Sequence, residues 1–212
     1  MKSNLKRLQP FVLGFLLLVI VAIVGAFVWS KLHLPGKPLP IYGQVADFSL
    51  TNQNNEPISL AKLRGQIWIA DVIFTRCPLQ CRRMTKRMRQ LQEALPQNQP
   101  IHLISITADP QFDTPEVFKN YAQQYGADQR HWSFLTGPKS EINQFVVGSL
   151  KLVAYEKKPE EREVPNDLFL HSTKFVLIDQ QGRLRVWFDG EKDEAKEEIL
   201  SAVKTLLREG GQ

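Results

Sequence analysis

Residues 8–30, LQPFVLGFLLLVIVAIVGAFVWS, carry no charged side chain. This run constrains the fold more than any other feature, because it divides the chain into an apolar leader and a remainder of ordinary composition. As a helix, residues 11–29 would reach about 28 Å, the thickness of a bilayer core, and exceed the usual apolar stretch of a signal peptide. Lys2, Lys6 and Arg7 precede the run, which predicts a cytoplasmic N-terminus and export of the residues beyond the run. Trp29 suits the far interface. Cleavage after Ala26 is the alternative. Either way the remainder is expected outside the cytoplasm, where cysteine pairs can be oxidised. The expected organisation is a cytoplasmic N-terminus (1–10), a transmembrane anchor (11–29), a Pro-rich spacer (30–40) and one globular domain (41–212).

A domain of that size buries a full core without disulfide staples. The only two cysteines of the chain, Cys77 and Cys81, therefore point to chemistry rather than stability. Five of the 27 Lys and Arg lie before residue 41 and no acid precedes Asp47, so the exported part carries 22 basic and 22 acidic residues. That balance argues against nucleic acid as a partner.

The segment QVADFSLTNQNNEPISL reads as a strand, a turn and a second short strand. IWIADVIF is apolar and β-branched apart from Asp71, as a buried central strand should be. In CRRMTKRMRQLQEALP, Met84, Met88, Leu91 and Leu95 fall on one helical stripe. IHLISITAD is a second buried strand. DTPEVFKNYAQQYGA is a helix with Asp113 or Thr114 as its cap, Pro115 in its first turn and Gly126 as its stop. WSFLTG is a short strand and PKSEINQFVVGSL a further helix. TKFVLIDQQGRLRVWFDG is a hairpin around Gly182, and EKDEAKEEILSAVKTLLREGG is a terminal amphipathic helix ended by Gly210 and Gly211. Alternating strands and helices closed by an antiparallel hairpin predict an α/β fold, a thioredoxin-like mixed sheet with helices on both faces.

Cys77 follows the central strand and Cys81 opens a helix, the end of an open α/β sheet where sites are placed. Helix-start amides, with Arg76, Arg82, Arg83, Lys86, Arg87 and Arg89, are expected to lower at least one thiol pKa. The pair could close as a disulfide, work as a redox couple, or present two thiolates to one metal ion. A small ring removes little unfolded-state entropy, so a purely structural bridge would contribute little. Three intervening residues is also an unusual spacing for dithiol exchange. The basic residues read either as a solvated face or as a docking face for an acidic partner.

Two thiolates form a soft site suited to Cu(I), and an imidazole would let it hold Cu(II) as well. His33 lies in the spacer, His102 inside a strand, His131 in a loop beside Trp132, and His171 just before a buried strand. Met84 and Met88 carry thioethers, but their spacing is that of core residues. A four-ligand zinc site has no support in the ligand count.

Over most of residues 44–207 the chain resembles the Sco/SenC family of membrane-anchored, thioredoxin-fold copper proteins. VADFSLTNQNNEPISLAKLRGQIWIADVIFTRCPLQC is similar to the family's opening hairpin, central strand and cysteine site. SITADPQFDTPEVFKNYAQQYGAD, WSFLTG and HSTKFVLIDQQGRLR resemble its later segments in the same order. The resemblance implies copper ligands at Cys77, Cys81 and His171. It also implies a client, the binuclear copper centre of cytochrome c oxidase, to which copper is delivered or whose cysteines are kept reduced. Arg82 stands where a proline is common in the family, and Leu79 and Leu170 stand where acidic residues are common; the two leucines predict a less polar site rim. With no transit peptide before the anchor, a bacterial inner membrane is the expected location, with the domain on the extracytoplasmic side.

The rival readings are a thiol–disulfide reductase using Cys77 and Cys81 without His171, a peroxidase-like thioredoxin relative, and a redox or copper sensor. A His171 ring within about 5 Å of the two sulfurs, after modest loop movement, favours metal.

Overall fold

The computed structural model describes residues 2–33, 38–77, 80–164 and 167–210, with side chains left out at 2–12, 28 and 30–33. The chain divides into two compact units, one ending at Lys37 and one beginning at Pro38. The first contains a single helix, α1 (Lys2–His33), which runs past Trp29 into the expected spacer. Its described apolar side chains, among them Leu13, Phe15, Leu18, Ile20 and Phe27, are exposed. Among the described residues no helix is long and apolar enough to cross a membrane.

The second unit opens with β1 (Gly43–Gln44) and a hairpin of β2 (Ser49–Asn52) and β3 (Pro57–Ser59). One helical turn, α2 (Leu60–Leu63), leads through Gly65, whose positive φ of 82° needs no Cβ there, into β4 (Ile67–Ile73). Then come α3 (Gln80–Ala94), β5 (Ile101–Thr107), α4 (Pro115–Gln124) and β6 (Trp132–Thr136). α5 (Lys139–Asn143) passes into a π-helical turn at Gln144–Ser149, where a single α-helix is the sequence expectation. A ribbon of β7 (Ala154–Glu156) and β8 (Phe169–His171) comes next, then β9 (Lys174–Ile178), β10 (Arg183–Asp189) and α6 (Ala195–Gly210). Gly210 closes the last helix rather than following it, and Gly211 lies outside the described residues.

Eight strands form one mixed sheet in the order β1, β10, β9, β4, β5, β6, β2, β3. β4, β5 and β6 are parallel, and the flanking pairs are antiparallel. Every residue of β4 is buried; since successive side chains point to opposite faces, both faces of the sheet are covered. α3 lays its buried stripe, Cys81, Met84, Thr85, Met88, Leu91 and Gln92, toward β4 and beside α6. On the side of Trp68, the Phe145 ring stacks on Phe48 at 3.9 Å. The result is a thioredoxin-like α/β fold whose central strand ends four residues before Cys77.

Thr114, not Asp113, caps α4: its hydroxyl accepts from the Val117 N–H at 3.3 Å. Gly182, at φ 76°, turns the β9–β10 hairpin. The β7–β8 ribbon is a separate two-stranded sheet with Ala154 opposite His171.

Candidate metal centre

Cys77 sits in the turn that leaves β4, its N–H donating to the Phe74 carbonyl at 3.1 Å. Cys81 lies in the first turn of α3, with Sγ accepting the Phe74 N–H at 3.3 Å. The bend that ends the strand thus offers Phe74's two backbone groups to the two cysteines. His171 ends β8, and its ring meets Phe74 edge-on at 5.6 Å. One donor atom from each of Cys77, Cys81 and His171 lies within 4.8 Å of the other two. All three residues are buried, and the two cysteines are not joined in a disulfide.

The orientation of the imidazole is set by its second nitrogen. Nδ1 lies 3.2 Å from the Ser172 carbonyl oxygen, which can only accept, so Nδ1 carries the proton. Nε2 then holds its lone pair toward Cys81 Sγ, 3.1 Å away. The thiol donates to it in the metal-free protein. Outer partners of this kind fix the tautomer of a ligating histidine.

At Cys81 the expected lowering is not seen. The Cys81 thiol is pushed well above its usual range, first by burial, then by the hydrogen bond and charge of Cys77; the Phe74 amide offsets only part of the rise. The helix start does not prevail because the sulfur is dry. Nor do the basic residues reach it. Arg76 bonds Asp109 and lies over the Phe112 ring. Arg83, Arg87 and Arg89 pair with Glu191, Asp193 and Glu93, and Arg82 and Lys86 are exposed.

Asp71 lies beneath this group on β4, fully buried. Neither carboxylate oxygen has a hydrogen-bond partner among the described residues. Burial raises its pKa to about 7; the nearby Ser105 hydroxyl counters part of that rise, without the geometry of a proper hydrogen bond. Its charge in turn adds to the rise at Cys81. Asp71 stands out in the sequence as the one polar residue of an apolar strand, and that is the available signal for it. Phe74 and Ser172, which act through their backbones, give none.

The other candidates lie elsewhere. His102 bonds the Ser133 hydroxyl at 2.8 Å, and burial lowers its pKa to about 4. His131 bonds Asp128. His33 ends α1, in the other unit. Met84 and Met88 pack in the core. Leu170 is 41 % exposed at the rim, while Pro78 and Leu79 fall outside the described residues.

The model of the SCO1/SenC family matches residues 42–208. Among solved structures, a SCO1/SenC family lipoprotein from Bacillus anthracis superposes with a TM-score of 0.69 at 29 % identity, covering 79 % of this chain and 97 % of that one. BsSco, described as a member of the Sco family of cytochrome c oxidase assembly proteins, gives 0.68 at 34 % identity, covering 80 % and 96 %. Bradyrhizobium japonicum ScoI, solved with copper bound, gives 0.64 at 24 % identity, covering 77 % and 99 %; that likeness is one of fold.

Proposed function

This chain belongs to the SCO1/SenC family, and from that premise we propose that it is a copper metallochaperone in which Cys77, Cys81 and His171 hold the ion. The observation that carries the reading is the convergence of two sulfurs and an imidazole nitrogen, from three separate elements, within 4.8 Å. Thiolate donors favour Cu(I), and the imidazole extends the set to Cu(II). Copper is the cargo of this site. B. japonicum ScoI, a relative in fold, has been solved with copper bound.

The chain's own groups define how the cargo is taken up. Cys81 is protonated and donates to His171 Nε2 in the metal-free state, so loading releases a proton, and affinity rises with pH. Oxidation of the pair to a disulfide removes both soft donors, which couples loading to redox state. An acceptor thiolate can then replace one donor at a time. We propose the copper-bearing subunit of cytochrome c oxidase as client. BsSco's description as a member of a family of oxidase assembly proteins supports that choice. We further propose that the uncharged residues 8–30 hold the domain at a bacterial inner membrane. The exposed apolar side chains of α1 and the basic residues before them support that placement.

The test is titration of the reduced chain with Cu(I) and Cu(II), comparing wild type with Cys77→Ala, Cys81→Ala and His171→Ala. Each variant should weaken binding by at least about tenfold, or 1.4 kcal/mol. Undiminished affinity for both ions in the histidine variant would remove His171 from the site. If that variant also kept a client's cysteines reduced as well as wild type, the thiol–disulfide reductase reading would replace this one.

A further inference from the structure

The two residues before Cys77 are held by the loop that leaves β5. Asp113, fully buried, accepts the Thr75 N–H at 3.3 and 3.4 Å with its two oxygens, the Thr75 hydroxyl, and the Thr107 hydroxyl at 2.6 Å. Thr107 Oγ1 in turn accepts the Asp109 N–H at 2.8 Å. Asp109 takes the Arg76 guanidinium, with Nε at 3.2 Å, and Phe112 lies 4.2 Å beneath it. The Ala108 N–H donates to the Ile73 carbonyl at 2.8 Å, so the ends of β4 and β5 leave the sheet together.

Sequence position suggests that Asp113 caps α4, but Thr114 does that. Asp113 instead supplies acceptors to the turn between the central strand and Cys77. A buried carboxylate costs free energy even when bonded, and here burial still raises the Asp113 carboxyl against the hydrogen bonds from Thr107 and Thr75. No other side chain of the described residues bonds the Thr75 amide and hydroxyl. Without it the loop after β5 would hold the two residues before Cys77 by one side-chain contact, Arg76–Asp109, which is partly exposed.

We propose that Asp113 is a positioning residue: by clamping Thr75 it fixes the Cys77 sulfur where Cys81 and His171 can share an ion with it. This rests on the copper reading above, but it makes a separate claim about the metal-free turn. The clamp acts through shape, since an asparagine amide can accept from Thr75 and donate to Thr107 in the same place.

The experiment uses the full-length reduced chain as wild type, Asp113→Ala, Asp113→Asn and Thr75→Val. Copper(II) is titrated while the sulfur-to-copper charge-transfer absorption is recorded. Separately, the metal-free proteins are treated with iodoacetamide and Cys77 labelling is timed by mass spectrometry. Asp113→Ala should bind copper about 10- to 100-fold more weakly, the range for loss of an outer-sphere partner, with a shifted absorption band. Its Cys77 should label at least about fivefold faster, because the turn opens locally. Asp113→Asn should stay within about threefold of wild type on both measures, and Thr75→Val should fall between the two. Wild-type binding, band and labelling rate in Asp113→Ala would overturn the proposal, as would equal losses in the alanine and asparagine variants. Should Asp113→Ala fail to fold, Thr75→Val decides, and wild-type behaviour there overturns it. If wild type itself binds no copper, the metallochaperone reading falls and the labelling rates alone judge the clamp.

Discussion

Asp179 and Asp71 are both shut away from water, yet their surroundings are opposite. Asp179, at the turn of the β9–β10 hairpin, accepts the N–H groups of Gln181 and Arg183, the Arg183 Nε–H and an N–H of the Arg185 guanidinium. Arg185, itself 2 % exposed, also donates to the carbonyls of Leu39 and Pro40 and to Glu209, tying the start of the domain to its last helix. Asp71, in the central strand below the cysteines, has no such partner among the described residues. Far from the site, a buried charge is fully compensated and holds the scaffold together. Beside the site, an acid is left without a hydrogen-bond partner and keeps its proton up to about pH 7. Polar groups that break the rules of burial gather where function needs them.

The largest test of this contrast is Asp179→Ala. It leaves the buried Arg185 cation with Glu209 as its remaining carboxylate and strips the turn amides of their acceptor, and should cost about 3–5 kcal/mol of unfolding free energy, read by urea titration. A loss below about 1 kcal/mol would mean that the network is not the clasp described. Asp71→Asn should do the reverse. The native acid holds its proton up to about pH 7, against an ordinary value of 3.8. The native state therefore binds more protons than the unfolded chain across that window, and stability falls as pH rises through it. Removing the acid should leave stability little changed at about pH 3, below the ordinary carboxylate value, and raise it at pH 8 by roughly 4 kcal/mol at most. His102, whose pKa burial lowers, gives the opposite slope, so the difference between wild type and variant isolates Asp71. Parallel pH profiles would refute the assignment. The smallest effect sharpens the scaffold side. Gly182→Ala forces φ 76° on a residue with a Cβ, 2.9 Å from Leu60 Cδ1 and 3.1 Å from Gln44 Nε2. It should lower stability by about 1–2 kcal/mol without altering copper binding.

The contrast also marks how far sequence reasoning reaches. β4, β5, α3 and α4 are legible because their burial patterns are long and periodic, and the cysteines because they come after such a strand. The β7–β8 ribbon is not legible. Its strands are three residues each and pair across a charged connection, so no local period announces them. His171 is reached only through family resemblance for the same reason: its position comes from long-range pairing opposite Ala154. The rise of the Cys81 pKa escapes the sequence because helix position and neighbouring arginines can be read from the chain, whereas the dryness of one sulfur cannot. The role of Asp113 is hidden by a neighbour, Thr114, that does the capping instead.

The ribbon gives the site an asymmetry of anchorage. Cys77 and Cys81 are bonded to the bend of the central strand, while His171 rides on a two-stranded flap that shares no hydrogen-bond ladder with the eight-stranded sheet. Toward the strand, the flap rests on ring contacts of Phe169 and His171 with Phe74, each worth about 0.5–1.5 kcal/mol. Two donors are thus bonded to the frame of the central strand, and the third meets it through ring contacts and its approach to the Cys81 sulfur.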